Sequence, residues 1–91
     1  MENLEAIKKE LNEGNVNAVI RKLDILIKNS PSSSDELYYL RGNAYRKLGN
    51  WQMALNNYLE AIERNPNSPA LQAKEMVMDI LNFYNKDMFN Q

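Results

Sequence analysis

"YLRGNAYRKLGNW", residues 39–51, carries two glycines, Gly42 and Gly49, inside a stretch that otherwise reads as helix, with Tyr45 between them and Trp51 just after. A glycine in mid-helix costs about 1 kcal/mol relative to alanine, so Gly42 needs a reason to be there. The chain has no histidine and no cysteine, which makes chemistry a poor reason and close packing a good one.

Working outward, the same punctuation recurs upstream. "NSP" at 29–31 and "RNP" at 64–66 each close an apolar-periodic helix, and their prolines, Pro31 and Pro66, stand 35 residues apart. At that offset Gly14 pairs with Gly49, Asn15 with Asn50, Val16 with Trp51, Leu23 with Tyr58 and Ile27 with Ile62. A period in this range is the mark of a helical repeat. The spacing predicts helices over about 3–12, 16–29, 35–47, 51–64 and 69–85, with no strand pattern in competition. Gly14 and Gly49 suit the left-handed position after a helix, and Asn15 and Asn50 suit the cap of the next one. Ser33 and Glu36 have capping-box spacing. Ser68 is placed to cap the fifth helix, with Pro69 at its first position.

The second hairpin resembles the tetratricopeptide repeat. Tyr38, Gly42, Tyr45, Gly49, Trp51, Ala54, Tyr58, Ala61 and Pro66 match that signature in identity and spacing over residues 35–68. The resemblance implies an all-α fold: a short helical-hairpin array, or α-solenoid, of two hairpins plus a C-terminal capping helix. It divides the single domain 1–91 into a degenerate first repeat (1–34), a well-matched second repeat (35–68) and a capping helix with tail (69–91). It also implies a place for Gly42, against Ala54 where the two helix backbones cross, with Tyr38, Tyr45 and Tyr58 filling the space around them. Arg41 stands where the family usually has leucine; its stem can cover apolar surface while the charge reaches water. The closing segment "ILNFYNKDMFNQ" looks like the tail of small bacterial members of the family.

Such arrays bind partner peptides in a concave groove lined by the first helix of each hairpin. Transferred to this sequence, the groove receives Glu36, Tyr39, Asn43, Arg46 and Lys47 from the third helix and Glu2, Glu5, Lys9 and Asn12 from the first. The fifth helix, aligned from Ala70 by the step that leads from Pro31 to Asp35, contributes Leu71, Lys74, Met78 and Leu81. Its packing face is then Ala73, Met76, Val77, Ile80 and Phe83 or Tyr84, and Gln72, Glu75, Asp79, Asn82 and Lys86 form its wetted stripe. The stretch from Leu37 to Leu59 contains no acid but holds Arg41, Arg46 and Lys47, which favours an acidic partner. The chaperone-tail clamp of the family is not expected: only Asn43 fits it, while Tyr39 and Glu5 stand where lysines belong and Leu71 and Glu75 replace the basic pair.

Composition closes off other classes. A net charge of −1 argues against a general nucleic-acid binder. No apolar run approaches the roughly 18 residues of a membrane span, and the charged N-terminus is no signal peptide, so a cytoplasmic location is the default expectation. The carboxylate pairs Glu60/Glu63 and Glu75/Asp79 read as solvated helix faces. No catalytic residue, cofactor or metal is expected. The sequence therefore predicts a non-catalytic protein-interaction module with Tyr39, Asn43, Arg46, Lys47, Leu71, Lys74, Met78 and Leu81 as peptide-binding residues. The alternative is a structural role, a homodimer built on the apolar excess of the fifth helix, with Met88 and Phe89 adding to it.

Overall fold

The turns between the helices fall where the punctuation of the sequence dictates. The computed structural model describes residues 4–30 and 34–89, with side chains described for 4–30 and 34–83. Within them run α1 (Leu4–Asn12), α2 (Val16–Lys28), α3 (Asp35–Lys47), α4 (Trp51–Arg64) and α5 (Ala70–Phe89), with no strand among the described residues. The expected boundaries agree within a residue or two, except that α5 continues four residues beyond 85.

The two tight turns are built alike. Gly14 and Gly49 take φ of +91° and +76°, a region open to glycine at little cost. The Gly49 N–H donates to the Arg46 carbonyl and the Asn50 N–H to the Tyr45 carbonyl; Gly14 and Asn15 repeat the pattern onto Leu11 and Glu10. This double bond pair satisfies carbonyls that a helix end leaves open. Asn50 then caps α4 by accepting from the Met53 N–H at 3.2 Å. Asn15 makes no such side-chain bond, contrary to expectation. Ser33 lies outside the described residues; the residue at the cap of α3 is Ser34, also without a side-chain bond. Ser68 Oγ accepts from the Ala70 N–H at 3.1 Å, as its position predicts.

Consecutive helices pack on one another, α1 on α2, α2 on α3, α3 on α4 and α4 on α5, which is the one-dimensional stacking of a repeat array. The core accordingly has two lobes. Ile7, Leu11, Val19, Ile20 and Leu23 of the first hairpin receive Leu37, Leu40 and Ala44 of α3. Ala54, Tyr58 and Ala61 of α4 pack with Tyr38 of α3 and with Ala70 and Val77 of α5. Burying each large apolar side chain contributes roughly 1.5–3 kcal/mol.

Gly42 has as its nearest neighbour one of the three tyrosines expected around it. A Cβ at this position would lie 2.6 Å from Cε1 and 2.7 Å from Cδ1 of Tyr58. The glycine makes room for the Tyr58 ring, which supplies its three nearest atoms. Arg41 departs from expectation. Its Nε donates to Asn57 Oδ1 at 2.7 Å and its Nη1 to Asp24 Oδ1 at 2.8 Å, so the charge ties α2 to α4 across α3 instead of merely reaching water. Asn57 is buried, and its amide nitrogen donates to the Met53 carbonyl. Arg41→Leu, the family's usual residue, removes the partner of a buried oxygen and should cost about 1–2 kcal/mol. Urea melts of Arg41→Leu and of Arg41→Leu/Asn57→Leu test this: the second change should recover part of the loss, and an equal or greater loss in the double variant would refute the account.

Candidate peptide-binding groove

One face of α3 is left without a packed helix. Heptad geometry places Glu36, Tyr39, Asn43 and Arg46 along it, at steps of three and four, with exposed Lys47 beside them. The floor is supplied from behind by Tyr58. Its ring is fully buried and meets Tyr39 at 6.0 Å between centroids, while its hydroxyl donates to Asn43 Oδ1 at 2.5 Å. Burial pushes the Tyr58 hydroxyl up to about 12, Arg46 pulls it back and Tyr39 adds slightly to the rise. The phenol thus lies between the Asn43 amide that accepts from it and the charge of Arg46.

The face is polar from end to end. At the N-terminal end of α3, Lys8 Nζ pairs with Glu36 Oε1 at 2.9 Å and with Glu5 Oε1 at 3.1 Å. Glu36 first and Glu5 second hold the Lys8 ammonium above its usual range. A cleft of about 270 Å³ opens here between Lys8, Glu36, Tyr39 and Pro69. At the other end, Arg46 and Lys47 have no carboxylate partner among the described residues. Arg46 Nη1 sits 4.0 Å from Met76 Sδ, so Met76 forms the α5 edge of this face.

That contact exposes a change of register in α5. The residues that seat α3 on the first hairpin, Leu37, Leu40 and Ala44, correspond to Ala70, Ala73 and Val77 seated on α4, each pair 33 residues apart. The alignment from Ala70 predicts 35 instead, and its packing face fails at Met76, which is 40% exposed; Phe83, one of the two residues expected at its last position, is 65% exposed. Leu81, expected on the groove wall, packs into the second core lobe. Leu71 and Met78 are exposed, but on the flank of α5 opposite Met76, with half-buried Lys74 beside them. The structure thus brings Tyr39, Asn43, Arg46 and Lys47 onto one face of α3, sets Leu71, Lys74 and Met78 on the opposite flank of α5 and turns Leu81 into the core. On α1 it is Lys8 that pairs with Glu36 on this face, and Lys9 is exposed. Glu2, and the side chains of Tyr84, Lys86, Met88 and Phe89, lie outside the described residues.

Sequence reasoning missed Lys8, Met76 and the Tyr58 hydroxyl. The signal for Met76 was present. At an offset of 35, Leu37, Leu40 and Ala44 fall on Gln72, Glu75 and Asp79, a polar stripe that no core accepts.

Five stacked helices with two glycine turns of the same geometry define a helical-repeat array. The tetratricopeptide repeat profile matches residues 36–68. The chain is 59% identical to a Bacteroides fragilis protein whose structure was solved by solution NMR; the match covers 100% of this chain and 92% of that one, with a TM-score of 0.85. No curated protein matches significantly. The chain belongs to the tetratricopeptide repeat family. The general role of that family is protein–protein interaction, its partners are proteins, and its members are typically non-catalytic. Among the described residues, no helix is long and apolar enough to cross a membrane.

Proposed function

We propose that the protein is a non-catalytic interaction module that binds a peptide segment of a partner protein across the open face of α3. The observation that carries this reading is the pair of uncompensated cations, Arg46 and Lys47, set beside Asn43 and Tyr39 on a face with no covering helix. A cation without a partner is available to an incoming carboxylate, and charge at such a site steers encounter as well as adding affinity. Tyr39 offers a half-buried ring for apolar side chains, and Met76 offers an adaptable thioether edge. The partner segment is acidic where it meets Arg46 and Lys47, in a cytoplasmic setting. The division into a first repeat 1–34, a second repeat 35–68 and a capping helix with tail 69–91 belongs to the same reading. Self-association through α5 uses another face and leaves this groove open.

The test is an NMR titration of the nitrogen-15-labelled protein with a capped peptide of alternating Glu and Leu, and with its Lys-Leu counterpart as control. Amide shifts should centre on Tyr39, Asn43 and Arg46 for the acidic peptide alone. Arg46→Glu should weaken them tenfold or more, about 1.4 kcal/mol. Equal shifts with the basic peptide, or shifts confined to other helices, would sink the proposal.

A further inference from the structure

Tyr58 reaches the groove from behind, and its hydroxyl decides what Asn43 can offer there. The side chain is fully buried, and burial pushes its hydroxyl up to about 12. At neutral pH the phenol therefore keeps its proton and must place it on an acceptor. Asn43 Oδ1 is that acceptor, and the Tyr58 hydroxyl has no other partner among the described residues. Turning the Asn43 amide over would set Nδ2 against the phenol oxygen and leave the phenol proton with nowhere to go. Folded proteins avoid such a buried unpaired donor, so the amide is held one way round. Its Nδ2 has no partner among the described residues, and no buried side-chain nitrogen or oxygen among them lacks one. The Nδ2 of half-buried Asn43 accordingly meets water on the open side of α3.

We propose that Tyr58 is a positioning residue for the peptide groove. By holding Asn43 as a donor, its hydroxyl restricts this end of the face to segments that bring acceptors: a carboxylate to Arg46 and Lys47, and a main-chain carbonyl to Asn43. The role rests on the groove reading above and adds to it a residue of α4 that is too deeply buried to touch the ligand itself. From Asn43 to Lys47 the polar groups of the face are the Asn43 N–H pair, the Arg46 guanidinium and the Lys47 ammonium, all donors. Asn43 and Arg46 stand three residues apart on one helix, with Cβ atoms about 5–6 Å apart. One acidic residue spans that distance with its own carbonyl and carboxylate. A lysine side chain in the same place meets donors only. With the amide free to turn, Oδ1 could face the groove and this selection would be lost.

The free protein is read first, by hydrogen exchange of the Asn43 side-chain amide in the nitrogen-15 spectrum. Both Nδ2 protons should exchange as those of an exposed amide do. A protected one means the reversed amide and overturns this proposal alone, whether or not a peptide binds. The capped Glu-Leu peptide is then titrated into wild type, Tyr58→Phe, Asn43→Ala and the double variant, each checked for folding by circular dichroism. Tyr58→Phe should lose about three- to tenfold in affinity, the share of one hydrogen bond. The Asn43 side-chain amide signals should move on binding in wild type and much less in Tyr58→Phe. In the Asn43→Ala background the same change should cost nothing more, because Tyr58 acts through Asn43. A further loss there, or an unchanged affinity in Tyr58→Phe, overturns the proposal. If Tyr58→Phe does not fold, Asn43→Asp carries the test: its carboxylate still accepts from Tyr58 but offers the groove an acceptor. Its affinity should fall at least as far as that of Asn43→Ala, and a wild-type affinity would refute the role. A wild type that ignores the peptide while both Nδ2 protons exchange freely removes the proposed function, and this role with it.

Discussion

Gly42→Ala will destabilise the protein by about 2–3 kcal/mol, although alanine is the better helix former by about 1 kcal/mol. The two effects oppose each other, and geometry decides between them. The added methyl group would stand 2.6 and 2.7 Å from two carbons of the Tyr58 ring, far inside contact distance. The ring cannot yield cheaply. It is fully buried, its hydroxyl is held by Asn43, and Tyr39 lies against it. Relief therefore requires α3 and α4 to separate, which weakens packing along the whole hairpin. Chemical denaturation reads the loss, and Gly42→Ala/Tyr58→Leu should recover part of it, because the smaller side chain returns the space. A stabilised Gly42→Ala protein would show that propensity, not packing, governs this position.

Gly42 also marks how far the sequence is legible. That a small residue is needed there follows from the cost of a mid-helix glycine and from the family signature; which atoms require it does not. A ring contact and a backbone crossing leave the same glycine in the sequence, and only the position of Tyr58 separates them. The helix boundaries were legible because Gly14, Gly49, Pro66 and Ser68 are local devices whose effect does not depend on distant packing. The common face of Tyr39, Asn43 and Arg46 on α3 was legible for a related reason. Tyr39, Asn43 and Arg46 share one helix, so their common face depends only on spacing. The α5 residues were not, because the rotation of a terminal helix about its axis is set by the surface it packs on. The turn between α4 and α5 runs through Asn65, Pro66, Asn67 and Ser68, with the Ser68 N–H on the Asn65 carbonyl, and it seats α5 two residues away from the spacing that holds between Pro31 and Asp35. A shift of two residues turns a helix by about 200°, enough to exchange its two flanks. Arg41 was misjudged differently: its long side chain was expected to end in water, and two partners from separate helices bind it instead.

Val77→Asp will cost about 3–5 kcal/mol, whereas Met76→Asp, one residue earlier, will change stability by no more than about 0.5 kcal/mol. Val77 is fully buried in the lobe formed by Ala54, Tyr58, Ala61 and Ala70. The one polar group among those side chains, the Tyr58 hydroxyl, is already given to Asn43, so the variant must either retain an unpaired charge in the core or release α5. Release exposes the α4 face that holds Tyr58, and with it the floor of the groove. Met76 is 40% exposed and near Arg46, where a carboxylate keeps its water and gains a cation. The alignment that starts from Ala70 puts both residues on the packing face and requires both variants to unfold early; the 33-residue register requires only one. Urea melts followed by circular dichroism and by Trp51 fluorescence separate these outcomes, because folded domains hold only about 5–15 kcal/mol in total. A strongly destabilised Met76→Asp protein would return Met76 to the core and remove it from the groove edge. A tolerated Val77→Asp protein would mean that α5 does not dock on α4 in solution, and Arg46 would then lose its contact with Met76.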